Sequence, residues 1–271
     1  MKDYIKEQIA KVSDANMARC IVREYLQARI LESFQESGAF TSWAFVGGTS
    51  LRFLYRMPRY SEDLDFSLKA VGIEDNFRIF LKKAIKDFES ENYNVSAKLN
   101  ELNNVKSSFI KFSGLLYEMG LSPHQPETIS IKIEIDINPP DGAKFETTIV
   151  RRHILLNLLH YDKSSLFAGK LHAFFSRKYV KGRDIYDLLW YLSEKGWPSP
   201  NLILLNNALK QTGWVGPQIT EKNWRSEIAR KVKTLDWTKV LADVGPFLEK
   251  TKDIDLLTKE NLLSLLKECG P

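Results

Sequence analysis

Two aspartates and two glycines are the residues of this chain best suited to chemistry. Phe45-Val46-Gly47-Gly48-Thr49-Ser50 is followed by Arg59-Tyr60-Ser61-Glu62-Asp63-Leu64-Asp65-Phe66. Asp63 and Asp65 stand two apart, a spacing that puts both carboxylates on one face of a strand. Such a pair suits Mg2+, which takes carboxylate and phosphate oxygens; two such ions can activate an attacking hydroxyl and neutralise a leaving pyrophosphate. Gly47 and Gly48 let the backbone come close to a bulky anion. The N–H groups of that turn and of the helix after it would face phosphates, and Thr49 and Ser50 add hydroxyl donors. A Gly-Gly turn alone is often only a turn, and an Asp-x-Asp alone is often a solvated strand end. Together, with Arg59 and Ser61 just upstream of the pair, they read as one site.

Three other clusters bear on it. Glu134 and Asp136 lie on the polar side of a long alternating strand, and either could serve as a third carboxylate, as metal ligand or as base. If that strand does not neighbour Leu64–Leu68, the same side is simply solvated surface. Lys170 and Arg177 are seven apart, on one face of a helix; a lysine there can hold a triphosphate and an arginine can clamp it. Asp184, after Gly182-Arg183, resembles a helix N-cap with Asp187 in an acidic first turn, and Arg183 with Asp187 suits an ordinary ion pair. By spacing alone the two aspartates are mainly structural. Finally, Lys222, Arg225, Arg230, Lys231, Lys233 and Lys239 interleave with Trp224 and Trp237. This stretch could follow an RNA backbone, but an amphipathic helix with its tryptophans in the core is the simpler reading. His124, His153, His160 and His172 show no metal-ligand spacing.

These residues need elements to hold them. A capped helix over 14–36 leads to a strand at Trp43–Val46, the glycine turn, a short helix Ser50–Tyr55 and a strand Leu64–Leu68. A charged amphipathic helix covers 74–91. Strands follow at 95–99 and 105–112, joined by Asn103-Asn104, and then at 129–137, where five isoleucines alternate with Ser130, Lys132, Glu134 and Asp136. After about residue 150 the pattern turns helical, over Leu166–Tyr179, Asp184–Glu194, Leu202–Lys210, Thr220–Lys233, Trp237–Leu248 and Thr258–Glu268. The expected organisation is an α/β domain over 1–155 and a mostly helical domain over 156–271.

The chain has 271 residues, 44% hydrophobic and 27% charged, as in ordinary globular proteins. No apolar run approaches the length of a membrane helix, and the N-terminus lacks a signal-peptide core, so the expected location is the cytoplasm with no membrane partner. Cys20 and Cys269 are the only cysteines, too few and too far apart for a thiolate zinc site. A net charge of +5 mildly favours a polyanionic partner such as nucleic acid.

The motifs taken together resemble the AbiEii/AbiGii (MenT-like) toxin family of nucleotidyltransferases. Besides the glycine turn and Arg59–Phe66, the resemblance runs through Lys132–Pro140, Ala168-Gly169-Lys170-Leu171-His172-Ala173, Ser176-Arg177 and Gly182–Leu188. It implies a polymerase-β-like nucleotidyltransferase domain with a mixed sheet and a helical C-terminal half that brings Lys170 and Asp184 or Asp187 to the catalytic cleft. It implies a toxin of a toxin–antitoxin or phage-defence system, using Mg2+ (Mn2+ as the alternative) and an NTP to add NMP to an RNA 3′ end, tRNA foremost. Asp63 and Asp65 match the metal pair, Lys170 an essential lysine, and Asp184 or Asp187 a late acidic position. Gly47, Gly48, Thr49, Ser50, Ser61 and Arg177 fall to nucleotide binding. The partner implied is a cognate antitoxin; some are kinases that modify the serine matching Ser61. The family turn is Gly-Ser, whereas here Thr49 takes the serine place. The stretch from Gly48 to Asp63 is longer than in minimal relatives, implying a longer helix. The competing readings are transfer to a protein or small-molecule hydroxyl, and a non-catalytic RNA- or partner-binding protein on this scaffold.

Overall fold

The computed structural model describes residues 2–101 and 104–268; Asn103 and Cys269 fall outside them. In chain order the helices and strands are α1 (Lys2–Ile9), α2 (Ala15–Glu36), β1 (Trp43–Val46), α3 (Gly47–Tyr55), β2 (Leu64–Leu68), α4 (Phe77–Ser90), β3 (Val95–Asn100), β4 (Val105–Ser113), α5 (Leu115–Glu118), β5 (Thr128–Asp136), β6 (Phe145–Arg151) and β7 (Leu155–Tyr161). Then come α6 (Lys163–Ser176), α7 (Gly182–Ser193), α8 (Leu202–Gln211), α9 (Trp224–Val232), α10 (Trp237–Val244) and α11 (Lys259–Glu268). The chain divides into two compact units. One holds the residues up to Pro139 and Glu146–His160; the other holds Pro140–Phe145 and the chain from Tyr161 on.

The seven strands form one mixed sheet in the order β3-β4-β5-β2-β1-β7-β6. β1 runs antiparallel to β2, with Val46 opposite Asp65, and β2 runs parallel to β5, with Asp65 beside Glu134 and Ser67 beside Asp136. β4 lies antiparallel to both β5 and β3, and β7 is parallel to β1. Alternation decides which side chains reach the core. On β5, Ile129, Ile131, Ile133 and Ile135 are buried, while Ser130, Lys132, Glu134 and Asp136 stay half exposed on the other face. α2 covers the buried face with Val22, Leu26, Ile30 and Phe34, beside an aromatic cluster of Phe34, Trp43, Phe66 and Phe80. Asp14 caps α2 by accepting the Met17 N–H at 2.7 Å, an interaction worth about 1 kcal/mol.

The expected elements between 14 and 137 are all present, with ends shifted by a few residues; α4 starts later than expected, at Phe77. Among the described residues α1, α5, β6 and β7 lay outside the expectation. β6 and β7 fall where the pattern read as a transition to helix. Leu155-Leu156-Asn157-Leu158-Leu159 is apolar without alternation, and periodicity cannot tell such a run in a buried strand from a helix. α1 is short; it buries Ile5 and Ile9, and Lys2 bonds Glu118 at 2.8 Å while Tyr4 meets His153 and Tyr25. The long stretch from Gly48 to Asp63 is not a longer helix: α3 stops at Tyr55, Arg56 turns to φ +58°, and the extra chain forms a loop.

The second unit packs α6 on α8, α7 on α10 and α9 on α11. Phe167 stacks on Tyr191 at 4.5 Å and meets the edge of buried Trp224. Gly182 is required by close approach, because a Cβ there would stand 2.0 Å from the Val240 carbonyl oxygen. Asn201 ties residues 140–145 to this unit by donating to the Gly142 carbonyl and to the Ser165 hydroxyl. The basic stretch after 222 follows the simpler reading in part: Trp224 is core while Trp237 is half-buried, Arg230 pairs with Glu227, and Lys231 donates to the Phe174 and Phe175 carbonyls at the end of α6. Among the described residues no helix is long and apolar enough to cross a membrane.

One buried charge organises the first unit. Glu24 on α2 accepts from Arg52 of α3, from Arg152 at 3.1 Å and from His153 at 3.1 Å, so one carboxylate joins α2, α3 and the β6–β7 turn. Burial would push its pKa up, but the His153 hydrogen bond and the fields of Arg52 and Arg152 outweigh it and hold the carboxyl at about 2. A folded pKa below the unfolded one contributes stability above the unfolded value, near 4.5, and loses it as pH falls toward 2. The shift corresponds to about 3 kcal/mol. Chemical denaturation of wild type should therefore show stability falling between pH 5 and pH 2, while Glu24→Gln starts lower and loses less over that window. Parallel profiles would remove Glu24 as the source.

Candidate active site

The site on the first unit starts at the end of β1. Gly47 takes φ +77°, in the left-handed region, and opens α3 with no side-chain cap from Val46. The first N–H groups of a helix have no partner within it, a feature that suits an anion; here Gly47 is half-buried and Gly48 buried. Asp65 lies across the turn: a Cβ on Gly47 would fall 2.1 Å from its Oδ2. A Cβ on Gly48 would fall 2.8 Å from Arg59 Nη2 and 3.0 Å from the Ser61 hydroxyl. The loop after α3 is what brings these two in. Arg59 is buried and donates to the Tyr60 carbonyl at 2.9 Å, and Gln27 of α2 donates to the Ser61 carbonyl at 3.0 Å.

The hydroxyls of Thr49 and Ser50 are not at the surface of this turn. Both residues are fully buried; Thr49 donates to the Asp63 carbonyl and Ser50 to the Gly47 carbonyl at 2.8 Å. Their work is to tie α3 to the start of β2 and to close the turn, leaving main-chain amides as the donors for an anion.

Asp63 immediately precedes β2 and Asp65 is its second residue, while Leu64, Phe66 and Leu68 point into the core. The β2–β5 register puts Glu134 level with Asp65, and one step earlier brings Lys132 level with Asp63. Lys132 bonds Glu134 at 2.8 Å. Burial opposes its charge, but the Glu134 hydrogen bond and the fields of Asp63 and Asp65 hold the ammonium above the ordinary lysine value. Asp136 lies two residues on, about 6.6 Å along the strand. It is level with Ser67 and accepts the Asn138 N–H at 2.9 Å. Burial pushes its carboxyl up. Geometry thus separates two residues that periodicity left equivalent: Glu134 adjoins the pair and Asp136 does not.

Among the described residues no group of three or more His, Cys, Asp or Glu side chains is close enough to hold an ion with protein ligands alone. Two carboxylates beside an anion-facing helix end still fit Mg2+, because that ion is commonly held by one or two carboxylates with substrate phosphates completing its shell. Sequence reasoning passed over Lys132, whose alternation with Glu134 was visible but whose place beside Asp63 depends on strand order.

On the second unit, Lys170, Arg177, Asp184 and Asp187 form an ion cluster, buried at the two aspartates and exposed at Arg177. Lys170 Nζ lies 2.6 Å from Asp187 and 3.4 Å from Asp184, and Arg177 also binds Asp184. Asp187 is fully buried and Asp184 nearly so. Arg177 is not on the Lys170 helix: α6 stops at Ser176 and Arg177 is its extended C-cap. Asp184 is not an N-cap either, since Lys181 holds that position and Asp184 sits in the first turn of α7. Arg183 pairs with Asp243, its N–H reaching that carboxylate at 3.1 Å.

A mixed sheet carrying a carboxylate pair across from a glycine turn defines a nucleotidyltransferase. The profile of the family described as "Nucleotidyl transferase AbiEii toxin, Type IV TA system" matches residues 29–260, and the chain belongs to that family. MenT4, a nucleotidyltransferase toxin from Mycobacterium tuberculosis, superimposes with a TM-score of 0.59 at 14% identity, over 100% of this chain and 90% of that one. JHP933 from Helicobacter pylori gives a TM-score of 0.52 at 17% identity, over 92% of each chain. At such identities the likeness concerns the fold. No functionally curated protein matches the chain by sequence.

Two substitutions test the geometry. Gly47→Ala drives a methyl into the Asp65 carboxylate, and should leave a folded protein while cutting nucleotidyl transfer by about 100-fold, the scale of a misplaced reacting group; an unchanged rate would mean Asp65 has room. Lys170→Met leaves Asp184 and Asp187 short of counter-charge and should lower unfolding free energy by about 3 kcal/mol. Urea denaturation measures it, and a loss under about 0.5 kcal/mol would contradict a stabilising cluster.

Proposed function

We propose that the chain transfers NMP from an NTP to the 3′ hydroxyl of an RNA, tRNA foremost, with release of pyrophosphate, as a toxin restrained by a cognate antitoxin. The observation that carries this reading is the Asp65 carboxylate seated on Gly47 at the N-terminus of α3. It sets a cation-holding pair beside an anion-holding helix end, and a metal-bound triphosphate needs both.

In this reading the amides at the start of α3 bind the phosphates, with the Ser61 hydroxyl and Arg59 beside them. Asp63 and Asp65 would hold a divalent cation, Mg2+ in the first place, which when bound supplies positive charge for the phosphates and for the departing pyrophosphate. Glu134 is the third carboxylate, and an Oε takes the proton of the acceptor 3′ hydroxyl. Lys132 orients Glu134 and limits the repulsion among three acids. Asp136 supports the turn at Asn138. A phosphate on Ser61 would occupy the anion position itself, giving an antitoxin kinase a direct means of blocking substrate. Catalysis here is positioning and charge neutralisation.

The test is incubation with each labelled NTP, Mg2+ and total RNA. Label in RNA supports the reading. Label in a protein band or small product, with RNA untouched, replaces it with another acceptor. Asp63→Ala and Asp65→Ala should reduce transfer by at least about 1000-fold. Glu134→Gln should cost at least about 100-fold and Asp136→Asn less than about 10-fold. The reverse order for the last two, measured on proteins of equal melting temperature, would exchange their roles. Lys170→Arg keeps the cluster's charge; lost activity at an unchanged melting temperature would give Lys170 a part in the reaction.

A further inference from the structure

The polar face of the sheet does not end at the carboxylates. The register carries a row from β2 outward: Asp63, then Lys132 on β5, Phe109 on β4 and Lys98 on the edge strand β3. Adjacent strands are about 4.8 Å apart, so Phe109 sits roughly 10 Å from Asp63. Phe109 is 39% exposed, and its cross-strand neighbours are both lysines. The core does not require it there, since the buried face of β4 is already filled by Ile110 and Phe112. Lys132 Nζ stands 5.9 Å from the ring centre. The next row adds Lys111, also exposed, opposite Ser96 and Ser130. On this face β3 and β4 contribute no acid among the described residues; the acids Glu134 and Asp136 lie on β5, at the end of the strand nearest the catalytic pair.

An exposed aromatic ring among lysines, one or two nucleotide lengths from a phosphoryl-transfer site, is complementary to a single strand of nucleic acid: the ring stacks a base and the lysines follow the backbone. We propose that the open β3–β4–β5 face is the platform for the single-stranded 3′ end of the acceptor RNA, with a base at or next to its terminus stacked on Phe109 and the preceding phosphates near Lys98 and Lys111. This rests on the RNA-acceptor reading above. The platform sets the acceptor class: RNAs ending in an unpaired 3′ segment, in preference to blunt duplex ends.

Binding of a 5′-fluorescein hairpin RNA with a four-nucleotide unpaired 3′ end, without NTP, tests it by anisotropy. Phe109→Ala should weaken binding about 10-fold or more, with a matching rise in KM for RNA, and Phe109→Tyr should restore it. The same hairpin trimmed to a blunt end should bind wild type and Phe109→Ala alike. Lys98→Ala and Lys111→Ala should each reduce the slope of log K against log salt by about 0.7. Unchanged RNA affinity and KM in Phe109→Ala, while wild type labels RNA, overturns the platform and leaves the RNA-acceptor reading standing. Wild type that labels no RNA overturns both. Weakened binding of a fluorescent non-hydrolysable NTP, with RNA binding intact, assigns Phe109 to the nucleotide's base and overturns the proposal.

Discussion

The geometry of the candidate site hangs on one contact, the Asp65 carboxylate against the bare Cα of Gly47. It requires a glycine twice over, once because φ is positive and once because a side chain would occupy the carboxylate's place. It follows from the antiparallel pairing of two short strands, Val46 opposite Asp65, so the end of β1 and the start of β2 meet. Thr49 fastens the arrangement by donating to the Asp63 carbonyl, and the loop after α3 returns Arg59 and Ser61 to Gly48. A carboxylate pair and a helix N-terminus are thus held together by main-chain geometry and depend little on the reach of flexible side chains.

Buried charge is handled in two ways. Glu24 is surrounded by Arg52, Arg152 and His153 and joins three elements within the first unit. In the second unit two carboxylates share Lys170 and Arg177. Ion pairs of this kind are poor sources of net stability, because desolvation offsets most of the attraction, yet deleting one partner is costly. What they specify is arrangement. Through Glu24 the side chains of Arg52, Arg152 and His153 tie α3 and the β6–β7 turn to α2.

Most of the first unit was legible in sequence because its signals are local. Alternation marked β5, the Asp14 cap and apolar spacing marked α2, and the two glycines marked the turn before α3. What depended on strand order was not legible. Glu134 and Asp136 have the same spacing, side and residue class, and only the parallel pairing with β2 makes one of them adjoin Asp65. Lys132 was hidden for the same reason. β7 escaped because an apolar strand and a buried helix look alike over seven residues, and β6 because it buries no residue and so carries no apolar pattern. Lys170 and Arg177 do lie together, but through their shared partner Asp184 rather than one helix face, since α6 stops one residue short of Arg177.

The Thr-Ser pair that follows the glycines illustrates how a departure from a family pattern can be chemically neutral. A serine in the turn suggests a hydroxyl aimed at phosphate, and a threonine in its place would raise doubt about that donor. Here both hydroxyl protons are spent on main-chain carbonyls, and both side chains are out of contact with solvent. In the function proposed above the donors to phosphate are amides, and these do not depend on whether the side chain is serine or threonine. A β-branched residue fills the space between α3 and the start of β2 more completely than serine would, and its stiffer χ1 holds the hydroxyl on the Asp63 carbonyl. The substitution therefore bears on how firmly the start of β2 is held against α3.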